Sequence, residues 1–123
     1  MKQRVAILGA SHKPERYAYK ALKMLQQYGH EVLPVNPGLT KIESVDVFSK
    51  LSDIQGTIDT LTLYVNPAIL EKNMEEILRL KPGRVIFNPG SESAELEEKM
   101  KAAGIKTEEA CTLVLLRTNQ FES

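Results

Sequence analysis

The hydrophobic positions fall into short, unbroken apolar runs that alternate with longer stretches of helical period. Arg4–Leu8 is a continuous apolar run of the kind that suits a strand buried on both faces. Residues 16–28 place Ala18, Ala21, Leu22 and Leu25 on one stripe, which predicts an amphipathic helix with Gly29 at its C′ position. Glu31–Val35 predicts a second strand, stopped by Asn36-Pro37-Gly38. Residues 41–54 are less regular, and are read as an extended piece over Val45–Phe48 and a helical turn over Ser49–Asp53. Residues 60–65 are rich in β-formers and predict the third main strand. Asn66-Pro67 then supplies an N-cap and a first-turn proline for a helix to Leu80, with Leu70, Met74, Ile77 and Leu78 toward the core. Pro82-Gly83 turns the chain into a fourth strand, Arg84–Phe87, followed by the loop Asn88–Ser91. A helix over residues 94–103 has acids early and lysines late, matching the helix dipole, and Gly104 ends it. A fifth strand begins at Ile105–Thr107, and residues 110–117 predict a final apolar helix.

Strands alternating with helices imply a parallel sheet covered on both faces. With right-handed crossovers the expectation is an α/β fold: a three-layer, Rossmann-like, doubly wound sheet of about five strands, as one domain over residues 1–123. Ligands of such sheets bind at the carboxyl ends of the strands. Here those ends are Gly9–Lys13, Asn36–Lys41, Asn66–Ile69 and Asn88–Ser91, all rich in Gly, Pro, Asn or Ser.

Composition narrows the function. The chain has 16 Lys+Arg against 16 Asp+Glu, so no net charge draws it to nucleic acid. Its single cysteine, Cys111, forms no internal disulfide, and no apolar run approaches membrane-spanning length. A cytoplasmic protein with neither nucleic acid nor membrane as partner is expected.

The strand-end residues carry the candidate chemistry. The turn Gly9-Ala10-Ser11-His12-Lys13 precedes a helix start, where backbone N–H groups favour phosphate and Ser11 adds a hydroxyl. Only the first glycine of a dinucleotide fingerprint is present, so a plain β–α turn is the competing reading. The second strand ends in Asn36-Pro37, where an NAD site places an acid for the ribose. With Lys13, His12 and Lys41 near that end, a phosphorylated ribose fits better, as in NADP or coenzyme A. Solvated surface lysines are the bland alternative. Tyr64-Val65-Asn66-Pro67-Ala68-Ile69 forms a junction able to flank an adenine, although Asn66 is required as a cap in any case. Cys111, beside Glu108 and Glu109, reads as a packed, inert thiol. His30 sits beside a helix cap and reads as structural.

Together these residues resemble the CoA-binding domain family. The resemblance is carried by Val5–Ser11, by Gly29–Pro37, by Leu51–Ile54 and by Ala102–Ile105 with Cys111. That domain forms the N-terminal part of the succinyl-CoA synthetase α subunit and of related acyl-CoA synthetases. The resemblance implies that Gly9–Lys13 and Asn36–Lys41 hold the phosphates of coenzyme A or an acyl-CoA, with Val65–Ile69 near its adenine. Asn88-Pro89-Gly90-Ser91 departs from the Gln-Gly segment of many members. The synthetases carry their phosphorylated histidine in a second domain, which these residues do not include. The expectation is therefore a binder without its own catalytic apparatus: a sensor, carrier or accessory subunit, as a homo-oligomer or beside a partner enzyme. Two alternatives stay open. One is a small NAD(P)- or CoA-dependent enzyme using Ser11, His12 or Cys111; the other is a ligand-free adaptor.

Overall fold

A computed structural model describes residues 2–122. Five parallel strands form the central sheet in the order β2-β1-β5-β6-β7: β1 is Arg4–Leu8, β2 Glu31–Val35, β5 Thr60–Leu63, β6 Arg84–Phe87 and β7 Lys106–Glu109. A two-stranded antiparallel hairpin, β3 Lys41–Ile42 with β4 Val45–Asp46, lies outside it. The helices are α1 Tyr17–Gln27, α2 Pro67–Leu80, α3 Ala94–Ala102 and α4 Thr112–Arg117, with a 3₁₀ turn at Leu51–Asp53.

Strand periodicity divides the core into two layers. Ala6, Leu8, Leu61, Leu63, Val85 and Phe87 point to the face covered by Leu70, Met74 and Ile77 of α2 and by Leu96 and Met100 of α3. Val5, Ile7 and Ile86 point to the other face, under Ala18, Leu22 and Leu25 of α1 and Leu115 and Leu116 of α4. The interior positions of β1, β5 and β6 are buried on both faces, as their apolar runs require. The edge strand β7 reads Lys-Thr-Glu-Glu, and its charges protect the sheet edge from further pairing.

The chain crosses from β2 on one side of β1 to β5 on the other. The topological switch point therefore lies between the carboxyl ends of β1 and β5.

The fold differs from the sequence expectation in three places. Residues 41–46 form a hairpin, where the expectation was an extended piece over Val45–Phe48 alone. Its turn holds Glu43 at φ +55, a conformation that a tertiary contact secures: Glu43 accepts from Lys23 Nζ at 2.6 Å and from the Tyr19 hydroxyl. The helical turn is confined to Leu51–Asp53, and Phe48 bridges in parallel to Val35. The last helix starts at Thr112 instead of residue 110, because β7 runs on to Glu109 and the Thr112 N–H donates to Asn88 Oδ1 at 2.9 Å.

Candidate functional site

A cleft of about 490 Å³ opens at the switch point. Its walls are the turn Gly9–Lys13, the α1 start Arg16–Ala18, the β2 end at Asn36, Gly38 and Leu39, and Tyr64 after β5.

Gly9 makes this junction geometrically feasible. It sits at φ +90, and a Cβ there would lie 2.8 Å from the Tyr64 carbonyl oxygen and 2.8 Å from Val65 Cγ1. The close approach that demands glycine is thus between the ends of β1 and β5. The amides of Gly9 and Ala10 both donate to the Val35 carbonyl at 3.1 Å, which ties the turn to β2. Asn36 adds a second tie: its Nδ2 donates to the Ala10 carbonyl at 2.7 Å, and its Oδ1 accepts from the Gly38 amide at 2.7 Å. The Lys13 amide donates to Ser11 Oγ at 3.1 Å, which shapes the rest of the loop.

The helix starts differ in a telling way. Asn66 caps α2 by accepting from the Ile69 amide, and Ser93 caps α3 by accepting from the Leu96 amide. At α1 the N-cap residue is Arg16, whose side chain makes no capping bond, and no acid lies in the first turn. The first-turn amides and the positive end of the α1 dipole therefore open into the cleft with no capping side chain or first-turn acid of the helix's own. Lys13 and Arg16 add cationic side chains to the same wall and His12 a polar one, while among the described residues no carboxylate lines it. Among the described residues neither Lys13 nor Arg16 makes a salt bridge, whereas Lys2, Arg4, Lys23 and Arg84 each pair with a glutamate. Lys13 and Arg16 thus leave positive charge on a strand-end cleft that no carboxylate among the described residues lines, an arrangement that favours an anion.

Of the residues expected from sequence, Gly9, Ala10, Ser11, His12, Lys13 and Asn36 lie together in this lining. Pro37, Val65, Asn66, Pro67 and Ile69 lie outside it: Val65 packs beside Gly9, Asn66 caps α2, and Ile69 is exposed in the first turn of α2. Lys41 also lies outside it, on the hairpin, paired with Asp46 at 3.1 Å. The sequence pattern did not mark Arg16 or Tyr17 as site residues, and Tyr64 stood there only as the start of the adenine junction. Arg16 and Tyr17 could have been found from the missing Ser, Thr, Asp or Asn at the helix start, since an uncapped N-terminus beside a Gly turn is itself a signal.

The Asn88–Ser91 loop has a structural role. Asn88 is buried, its Nδ2 donating to Thr62 Oγ1 at 2.6 Å and the Leu63 carbonyl at 2.8 Å, while Ser91 Oγ donates to the Val65 carbonyl at 2.6 Å. These bonds fix the β5 end and, through the Thr112 amide, the start of α4. Tyr64 stands beside this network; burial pushes its phenol up to about 12, and the Thr112 and Thr62 hydroxyls lower it only in part. Cys111 departs from the expected packed thiol. It is half-buried and lines a second cavity. Among the described residues no group of three or more His, Cys, Asp or Glu is placed to hold a metal ion, and no helix is long and apolar enough to cross a membrane.

Comparison with known proteins fits this geometry. The model of the family described as CoA binding domain matches residues 3–117. The chain belongs to the CoA-binding domain family. An uncharacterized protein of Bacillus subtilis, YneT, is 33% identical to this CoA-binding domain over 76 residues, 62% of this chain and 56% of the relative. An ADP-forming acetate–CoA ligase of Methanocaldococcus jannaschii is 29% identical over 101 residues, 79% of this chain and 14% of the ligase. The match thus spans little more than half of the first relative and about a seventh of the second. A crystal structure of an uncharacterized protein superposes with a TM-score of 0.92 at 40% identity, covering 98% of this chain and 99% of the other.

Proposed function

We propose that this domain binds coenzyme A or an acyl-CoA in the switch-point cleft and serves a separate enzyme as an accessory or carrier module. The observation that carries the reading is the uncapped α1 N-terminus facing a cleft where, among the described residues, Lys13 and Arg16 make no salt bridge and no carboxylate lines the wall. Coenzyme A brings a diphosphate and a 3′-phosphate, which suit that wall. The free amides at the α1 start and the side chains of Ser11, His12, Lys13 and Arg16 would hold the phosphates. The β2 end supports coenzyme A over NAD, because Asn36 occupies the position where an acid would bond the ribose 2′-OH. Lys41, already paired with Asp46, adds only to the longer-range field. Val65–Ile69, at the next strand end, is the proposed flank for the adenine. The presence of a similar domain within an acetate–CoA ligase supports service to a partner enzyme.

The test is a thermal-shift panel of CoA, 3′-dephospho-CoA, NAD, NADP and ATP. A ligand that binds only the folded form raises the melting temperature by mass action. CoA is expected to give the largest rise and 3′-dephospho-CoA a smaller one. A larger rise with NAD than with CoA overturns the ligand assignment.

A further inference from the structure

Beside the phosphate cleft lies a second cavity of about 380 Å³, and Tyr17 and Tyr64 line both. The two cavities are therefore neighbours. Leu113, Pro89 and the Tyr64 ring give this cavity an apolar wall, with Cys111 at its side. Two cations rim it, Lys20 from α1 and Arg117 from the last turn of α4, and no carboxylate lines it. Lys20 Nζ stands 5.3 Å from the Tyr17 ring centroid, and among the described residues neither cation makes a salt bridge. The Tyr64 hydroxyl is buried beside the Thr62 and Thr112 hydroxyls, which are bonded to each other at 2.8 Å.

From this we infer that the second cavity receives the thioester end of an acyl-CoA and selects acyl chains that end in a carboxylate. The inference rests on the coenzyme A reading of the first cleft. The apolar wall covers the methylenes, and Lys20 and Arg117 take the terminal carboxylate. A plain alkyl chain satisfies the wall but leaves both cations with water. A nucleotide phosphate is the less fitting occupant, because the uncapped helix start lies on the first cleft.

The test compares dissociation constants for CoA, pentanoyl-CoA and glutaryl-CoA, the two thioesters having equal chain length. The parent is expected to bind glutaryl-CoA about tenfold tighter than pentanoyl-CoA, as a charge-assisted contact provides. Arg117→Ala and Lys20→Ala, both at exposed positions, should each shrink that preference while leaving the CoA constant within about twofold. Equal binding of the two thioesters by the parent overturns the inference while leaving the CoA reading intact. An Arg117→Ala loss as large for CoA as for glutaryl-CoA also overturns it, by assigning the cation to the nucleotide. Absence of binding by CoA itself removes the underlying reading.

Discussion

Gly9→Ala separates the architecture of the switch point from its ligand chemistry. Gly9 has φ +90, and the new Cβ would meet the Tyr64 carbonyl oxygen and Val65 Cγ1, each at 2.8 Å. The first of these is backbone, fixed by the Tyr64 amide donating to the Leu8 carbonyl at 2.9 Å, so relief requires moving β5 against β1. Gly90 is the internal control: its φ is +97, and a Cβ there meets nothing within 4 Å. Both substitutions incur a left-handed backbone penalty of roughly 1–2 kcal/mol, offset by about 0.4–1 kcal/mol from the stiffer unfolded chain. Only Gly9→Ala adds overpacking, of about 1–3 kcal/mol. Urea unfolding followed by circular dichroism should therefore show Gly9→Ala less stable than Gly90→Ala by about 1–3 kcal/mol, with unchanged m-values. Equal stabilities would refute the claim that glycine is required there by the contact between strands. The result also bears on binding work: a bulkier Gly9→Val unfolds the site's frame, so its loss of affinity says nothing about phosphate contact.

Asn88→Ala should cost about 2–4 kcal/mol in urea unfolding, because the buried Thr112 amide and the Thr62 hydroxyl each lose a partner; a loss below about 1 kcal/mol contradicts the clamp role. His30 is buried and its Nδ1 accepts from the Gln3 amide, while Nε2 faces Glu122 at 3.4 Å. Burial holds its pKa below the ordinary 6.5, with Glu122 opposing. The unfolded chain then binds the proton more readily, so stability is complete above about pH 6.5 and falls as pH drops through the depressed folded value. His30→Asn should remove that slope, and an unchanged slope in the variant contradicts the assignment. Lys13→Ala should weaken CoA binding by about 1–2 kcal/mol, with the loss shrinking at high salt, and Lys41→Ala should cost less than half of that; calorimetric titration that ranks them in the opposite order moves the phosphates toward the hairpin.

Much of the fold was legible because it rests on local patterns. The apolar runs of β1 and β6, the Asn66-Pro67 start and the Gly29 and Gly104 stops are each written in a few adjacent residues. The hairpin at Lys41–Asp46 was not legible, since Glu43 enters the left-handed region without a Gly or Asn and is held by Tyr19 and Lys23 from α1. The start of α4 was hidden for a similar reason: its cap, Asn88, lies 24 residues away. At the site, the Gly9–Lys13 turn and Asn36 were visible as strand ends. Arg16 stood in the sequence as the first residue of a helix, and its value as an uncapped, cleft-facing end emerges only when the caps of α2 and α3 are set beside it. Tyr64 stood in the sequence as the start of the adenine junction, and nothing local marks it as a residue shared by two cavities. Lys41 was near Asn36 in sequence, but the hairpin carries it out of the cleft lining to Asp46.

The central claim is that coenzyme A sits in the cleft between the ends of β1 and β5, with its phosphates on the free amides of the α1 start. Amide chemical shifts in ¹⁵N–¹H spectra, recorded as CoA is added to the ¹⁵N-labelled protein, test it directly. The account predicts saturable shifts largest at Ser11, His12, Lys13, Tyr17 and Ala18, with the amides of α3 and β7 unmoved. Shifts confined to the opposite end of the sheet, around His30 and Phe121, or no shifts at millimolar CoA, would contradict it.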